Sequence, residues 1–307
     1  MHKFRFGVVG ESVRDAAGLL DTARRAERLG YDTFLLRDHF VTEPFGDQLS
    51  PLVALTAAAA ATDSIRLGTL VLANDYRHPV LLAKEAATLD HLSGGRFELG
   101  IGAGWLRAEY EAAGLSFDPA GERVGRLEEA LTLLDGLLSG RTVDQVGEHY
   151  AVRGLATFPV PARRPPLLVG AGGPRMLRMA GRLADTVGIL PIATPQGGIS
   201  EALSERSAEA MARKTGWVRE SGRDVELSQM ITVDVGPSHR ELAERVARSR
   251  GWDADLVLDM PSKFLGTHER IADQLRERRE RFGLSYHVVS DRDLDAFAPV
   301  VAELSGT

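Results

Sequence analysis

Short, apolar, strand-like runs alternate strictly with helical segments along the whole chain, and this constrains its fold more than any other feature. Phe4, Phe6 and Val8 alternate with Lys3, Arg5 and Gly7 at the strand period of two. Ser12 and Asp15 have the spacing of a capping box. Ala16, Leu19, Leu20, Ala23 and Ala26 follow at helical spacing, and Gly30 is placed as a stop. The same pattern predicts further strands at 33–36, 65–72, 97–101, 167–169, 186–190, 227–235 and 286–289. It predicts further helices at 51–62, 79–92, 121–138, 174–183, 201–220, 239–250, 267–282 and 294–304. Strand–helix alternation implies parallel strands joined by helical crossovers. Eight such strands in 307 residues predict an α/β fold, a closed (β/α)8 (TIM) barrel occupying 1–307 as one domain. Two segments lie outside the repeat. Residues 141–166 read as a small β-hairpin insertion after the fourth helix, followed by the stiff connector PVPARRPP. Residues 251–266 read as a long connection between helices.

A barrel of this kind carries its chemistry at the C-terminal ends of its strands. Composition narrows that chemistry. The chain has no cysteine, which excludes disulfides, thiolate nucleophiles and cysteine–zinc sites. Its formal net charge of −6, with signs interspersed, argues against nucleic-acid binding. No apolar run approaches the roughly 18 residues of a membrane span. The N-terminal residues enter a strand at once without a signal-peptide core, so the expected location is cytoplasmic. His78, His91 and His149 are scattered without ligand spacing, and no metal is expected. The expected partner is a small organic substrate.

Three strand ends stand out. Residues 91–105 read HLSGGRFELGIGAGW, a strand that dissolves into Gly100, Gly102 and Gly104. Glycine in a strand marks a close approach of backbone or ligand. The spacing is GxGxG and not the GxGxxG of a dinucleotide fingerprint, and no Lys-Ser or Lys-Thr completes a phosphate loop. Bare backbone at a barrel mouth is a surface against which a flat ring can lie. Residues 167–176, LLVGAGGPRM, run from a strand through Gly170, Gly172 and Gly173 to Pro174, which opens a helix. Free backbone N–H groups at such a helix start make an anion site, and Arg175 adds positive charge. Residues 36–40, LRDHF, place Asp38 and His39 at the end of the second strand, positions suited to holding a polar ring edge or passing a proton.

Longer blocks join these ends: RDHF at 37–40, RHPVLLAKEAATLDHLSGGRFELGIGAGW at 77–105, GGPRMLRMAGRLAD at 172–185, FLGTHERIADQL at 264–275 and FGLSYHVV at 282–289. With them the chain resembles, over nearly its full length, the bacterial luciferase-like flavin and deazaflavin superfamily, and within it the compact coenzyme F420-dependent subgroup. The resemblance implies a luciferase-like barrel, often a homodimer, with the ring of F420 (alternatively FMN) lying across the strand ends. It implies a non-proline cis peptide at Leu70–Val71 beneath that ring. Asp38 is then expected at the ring's polar edge, with Gly102, Gly104 and Trp105 beside the cofactor. Gly170, Gly172, Gly173 and Arg175 are expected around its phosphate, and Arg175 and Arg178 to attract its acidic tail. One departure is plain. F420-dependent sugar-phosphate dehydrogenases of the superfamily carry a glutamate after the GxGxG turn, whereas this chain has Trp105, which counts against sugar-phosphate oxidation.

The expected activity is hydride transfer between C5 of F420 and an electrophilic organic substrate such as an enone, imine or activated alkene. His39 is the candidate proton donor or relay, and Glu11 is expected to help shape the substrate pocket. Two alternatives stay open: an FMN-dependent monooxygenase using reduced flavin and O2, and a non-catalytic flavin-binding protein.

Overall fold

A computed structural model describes residues 1–11 and 13–307. Eight strands form a barrel: β1 (Arg5–Val9), β2 (Thr33–Leu36), β3 (Arg66–Thr69), β4 (Phe97–Gly102), β5 (Leu167–Ala171), β6 (Thr186–Ile189), β7 (Glu226–Met230) and β8 (Leu284–Ser290). Neighbours in sequence pair in parallel, and β8 returns to β1 in register from Arg5↔Tyr286 to Val9↔Ser290. Helices cover the outside, and most carry an apolar stripe on one side. The first, Ala16–Arg28, buries Leu19, Ala23 and Ala26. Its N-cap is Asp15, whose carboxylate accepts from the Gly18 amide at 2.8 Å. Ser12, the other half of the capping box read from sequence, lies outside the described residues. Among the described residues no helix is long and apolar enough to cross a membrane.

Apart from shifts at element ends, such as the helix read at 201–220 that begins at Ala208, three differences from the sequence-based expectation stand out. The strand read at 65–72 is broken. After Thr69 the Leu70–Val71 peptide is cis, at the position the resemblance indicated, and Leu72–Ala73 pairs further along β4 with Ile101 and Gly102. The break begins where Thr69 crosses Gly100. The Thr69 hydroxyl donates to the Gly100 carbonyl at 2.7 Å and accepts from its amide at 2.9 Å. A Cβ at Gly100 would lie 1.8 Å from the Thr69 carbonyl oxygen, so only glycine lets the two backbones meet.

The strand read at 227–235 changes sheets. It leaves the barrel after Met230, and Thr232–Val235 pairs in parallel with Lys263–Gly266. Its partner strand Lys263–Gly266 and the helix Ala254–Asp259 occupy what reads in sequence as a plain connection. A satellite core of Leu242, Ala243, Ala247, Val257 and Leu265 supports it.

The third difference is an additional short helix, Arg107–Ala112. The predicted hairpin is present as Val143–Val146 paired antiparallel with Ala151–Leu155, but it follows the fifth helix of the chain rather than the fourth. Its turn hangs on Glu129 of the preceding helix, Ala120–Leu138. That carboxylate accepts from the amides of Glu148, His149 and Tyr150 at 2.8, 3.1 and 3.1 Å.

Candidate active site

At the C-terminal mouth, β2 runs straight into Arg37, Asp38 and His39. Asp38 is buried and fully engaged. Its carboxylate makes two bonds with the Arg77 guanidinium, at 2.6 and 2.9 Å, and accepts from the Ala73 amide at 3.2 Å, leaving its side chain 2% exposed. These partners come from within the chain: Asp38 is bonded to Arg77 and Ala73. The ion pair is a tie between the end of β2 and the segment that follows the cis bond.

His39 faces a partner that the sequence did not suggest. Its Nδ1 lies 3.0 Å from Glu109 Oε2, and its ring packs 4.9 Å from Phe45 and edge-on to Trp105 at 5.9 Å. Glu109 comes from the short helix Arg107–Ala112 and also accepts from the Tyr76 hydroxyl at 3.0 Å and the Phe40 amide at 2.6 Å. Burial alone would raise the Glu109 carboxyl. The bond and charge of His39, the Phe40 amide and Tyr76 outweigh it and hold the group below the usual carboxylate range. Burial, and then Glu109 itself, push the Tyr76 phenol up. The helix that carries Glu109 is six residues long, too short for an apolar period to register. The one signal available was an acidic residue in the first helical turn directly after the glycine-rich strand end.

A second polar group spans the other side of the mouth. Glu11, at the end of β1, pairs with Arg37 and accepts from the Ser290 hydroxyl at 2.8 Å. The Arg37 guanidinium packs 4.0 Å from the Phe45 ring centre and touches Met230 Sδ. Four strand ends, of β1, β2, β7 and β8, thus supply this half.

The β3–β5 half is nearly bare. Leu70 and Val71 are half-buried and pack on an interior cluster that includes Val9, Leu35 and Leu168. A Cβ at Gly102 would lie 3.0 Å from Val71 Cγ2, and one at Gly170 would lie 3.2 Å from it. The other glycines are close to protein rather than open to a ligand. Gly104 has φ +74° and a Cβ there would strike the Tyr110 hydroxyl at 1.8 Å; at Gly172 it would strike the Pro191 carbonyl at 2.4 Å. At both positions the lack of a side chain is already required by the chain's own packing.

Gly173 is the N-cap of the helix Pro174–Leu183, which has no side-chain cap, so its first turn presents unfilled donors. Arg175 is exposed beside it and donates to the Gly121 carbonyl at 3.0 Å. Arg178 instead pairs with Glu220 at 2.6 Å. Among the described residues no cluster of His, Cys, Asp or Glu is arranged to hold a metal. The mouth therefore combines a bare apolar floor, an uncapped helix start and a histidine backed by a carboxylate. That set can carry a flat ring, hold an anion and move a proton.

The luciferase-like monooxygenase family pattern matches residues 2–300. The chain is 32% identical over 276 residues to an F420-dependent glucose-6-phosphate dehydrogenase of Microbacterium testaceum, an overlap of 87% of this chain and 77% of that one. Among solved structures, the coenzyme F420-dependent tetrahydromethanopterin reductase of Methanopyrus kandleri superposes with a TM-score of 0.75 at 18% identity, covering 99% of both chains. A monooxygenase of Streptomyces bottropensis superposes with a TM-score of 0.73 at 20% identity, covering 97% of this chain and 96% of the other. At those identities the structural likeness is one of fold.

Proposed function

The chain belongs to the luciferase-like monooxygenase family, and on that premise we propose that it is an oxidoreductase moving a hydride between coenzyme F420 and a small organic substrate. The observation that carries this reading is the floor of Val71 between Gly102 and Gly170 at the C-terminal strand ends, the end of the barrel that also carries His39. The F420-dependent relatives favour the deazaflavin over FMN. The residues fit such a cofactor. A side chain at Gly102 would crowd Val71 and cover the floor, and the helix after Gly173 has no capping side chain to displace.

In this proposal Leu70, Val71, Gly102 and Gly170 carry the ring, with Trp105 beside it. Gly173, Arg175 and the first helical turn hold the phosphate. Asp38 acts indirectly, fixing Arg77 and the Ala73 amide next to the cis bond. F420 supplies the hydride-accepting or hydride-donating carbon when bound. Phe45 and Trp105 wall off water, and His39 gives a proton to the substrate or takes one from it. Trp105 stands where sugar-phosphate dehydrogenases have a glutamate, so the proposed substrate is an enone, imine or activated alkene rather than glucose 6-phosphate.

We place the protein in the cytoplasm, as one 1–307 barrel domain and as a homodimer. The helix Pro51–Ala61 is apolar nearly all round, yet Val53 is 73% exposed, and Leu81 on the next helix is 53% exposed. Pairing of these faces between two copies would cover both. Sedimentation of a single 33.3 kDa species would remove the dimer.

The second reading is an FMN-dependent monooxygenase, since a Streptomyces monooxygenase shares this fold. Parallel fluorescence titrations with F420 and FMN decide between them. Tight F420 and weak FMN binding is expected. Preference for FMN, with oxygen uptake on turnover, would install the monooxygenase. Binding of neither would leave a non-catalytic relative.

A further inference from the structure

Glu109 receives more hydrogen-bond donors than a helix anchor needs. His39 Nδ1 and the Tyr76 hydroxyl each lie 3.0 Å from Oε2, and the Phe40 and Val41 amides lie 2.6 and 3.4 Å from Oε1. The side chain is 1% exposed, so water does not compete for these positions. A buried carboxylate surrounded by donors is ionised, and an ionised carboxylate only accepts. The imidazole nitrogen that faces Oε2 must therefore carry a hydrogen. We infer that Glu109, assisted by Tyr76, is the positioning residue of the site: it fixes His39 as the Nδ1–H tautomer and leaves Nε2 to exchange a proton with the substrate. This inference rests on the proposed role of His39 as proton carrier.

The same geometry makes the opposite tautomer accessible by changing one functional group. In Glu109→Gln the side chain keeps its shape. The Phe40 and Val41 amides can only donate, so the glutamine oxygen must face them. Its NH2 group is then turned to His39 and Tyr76. A neutral imidazole answers by accepting at Nδ1 and carrying its hydrogen on Nε2, and the Tyr76 hydroxyl rotates to accept. The loop stays bonded while the nitrogen offered to the substrate changes from acceptor to donor. A glutamate that served only to anchor the loop would not couple to the ring in this way.

The test uses the full chain labelled with 15N-histidine, without cofactor, at a pH where the ring is neutral. Long-range 1H–15N spectra report which ring nitrogen is protonated, and His39→Gln identifies the signals of residue 39. The expected result is Nδ1–H in the wild type, Nε2–H in Glu109→Gln, and retention of Nδ1–H in Glu109→Asp. An Nε2–H wild type, or the same tautomer in wild type and Glu109→Gln, overturns the inference. Turnover of 2-cyclohexenone with reduced F420 is the second arm. Glu109→Gln is expected to lower kcat by about 10²–10⁴-fold with KM and F420 affinity nearly unchanged, as loss of the correct tautomer does elsewhere, and Glu109→Asp to recover part of it. A swapped tautomer with undiminished kcat in both Glu109→Gln and His39→Gln would overturn the role of His39 beneath the inference, while leaving the tautomer assignment in place.

Discussion

The two ends of the barrel handle charge in opposite ways. At the N-terminal end Arg5 closes the interior. It bonds Glu226 at 2.7 Å, Glu98 at 3.1 Å and the Thr33 hydroxyl at 3.2 Å, with its guanidinium 4.3 Å above the Tyr286 ring. Burial pushes the Glu226 carboxyl up, and Arg5 opposes that shift. The network is drawn from β1, β2, β4, β7 and β8 at once, and so it locks the strands together. At the mouth three groups leave something over. Arg37 Nε is buried without a partner among the described residues, His39 has a second ring nitrogen beyond its bond to Glu109, and the helix after Gly173 is uncapped. One end spends its charges on the barrel itself; the other keeps hydrogen-bonding capacity for a ligand.

Substitutions at the two ends should separate stability from activity. The largest effect on folding is expected from Arg5→Ala, which leaves Glu98 and Glu226 buried without a counter-charge. Loss of one partner of a buried pair costs about 3–5 kcal/mol, readable by urea unfolding. A loss below about 1 kcal/mol would erase the contrast. His39→Gln at the mouth should lower turnover by about 10²–10⁴-fold while shifting unfolding by less than about 1 kcal/mol. A comparable loss of stability would mean that His39 belongs to the scaffold.

His287 sharpens the comparison from the barrel wall. It packs among the rings of Phe4, Phe6 and Phe264, and burial, aided by Arg279, pushes its imidazole down to about 3 from 6.5. Below pH 6.5 the unfolded chain takes up a proton that the folded chain refuses. The stability is therefore full above 6.5 and is lost as pH falls toward 3, by about 1.4 kcal/mol per unit at most. His287→Phe should flatten acid unfolding curves over that window, with F420 binding unchanged. An unaltered slope would show that the acid sensitivity arises elsewhere. The smallest effect is expected from Gly102→Val, which crowds Val71 at the mouth. F420 affinity should fall about tenfold, or about 1.4 kcal/mol, in a fluorescence titration. Unchanged affinity would take Gly102 out of the ring floor.

The barrel was legible in the sequence because helical segments alternate with short apolar runs, clearest where period and stop coincide, as from Ala16 to Gly30. The change of sheet after Met230 was not legible, because Thr232 to Val235 continues the alternation without a mark at the point where the partner strand changes. Glycine spacing showed that something approaches the strand ends, but not what. At Gly100, Gly104 and Gly172 it is Thr69, Tyr110 and Pro191, residues that only the folded chain brings there. Asp38 and His39 were placed correctly at the end of β2, but their partners, Arg77 and Glu109, depend on the path of two later segments. Local patterns report what a residue is and which face it takes; they do not report the partner across the mouth.

The hairpin turn held by Glu129 has an evolutionary consequence. Three consecutive amides point at one carboxylate that belongs to the covering helix, so the helix acts as a hook for the turn. The barrel's strand register is set elsewhere, by β1 through β8. An appendage hung in this manner can be lengthened, exchanged or grafted between relatives while the catalytic scaffold keeps its shape, and Glu129 marks the joint at which such an exchange would be made.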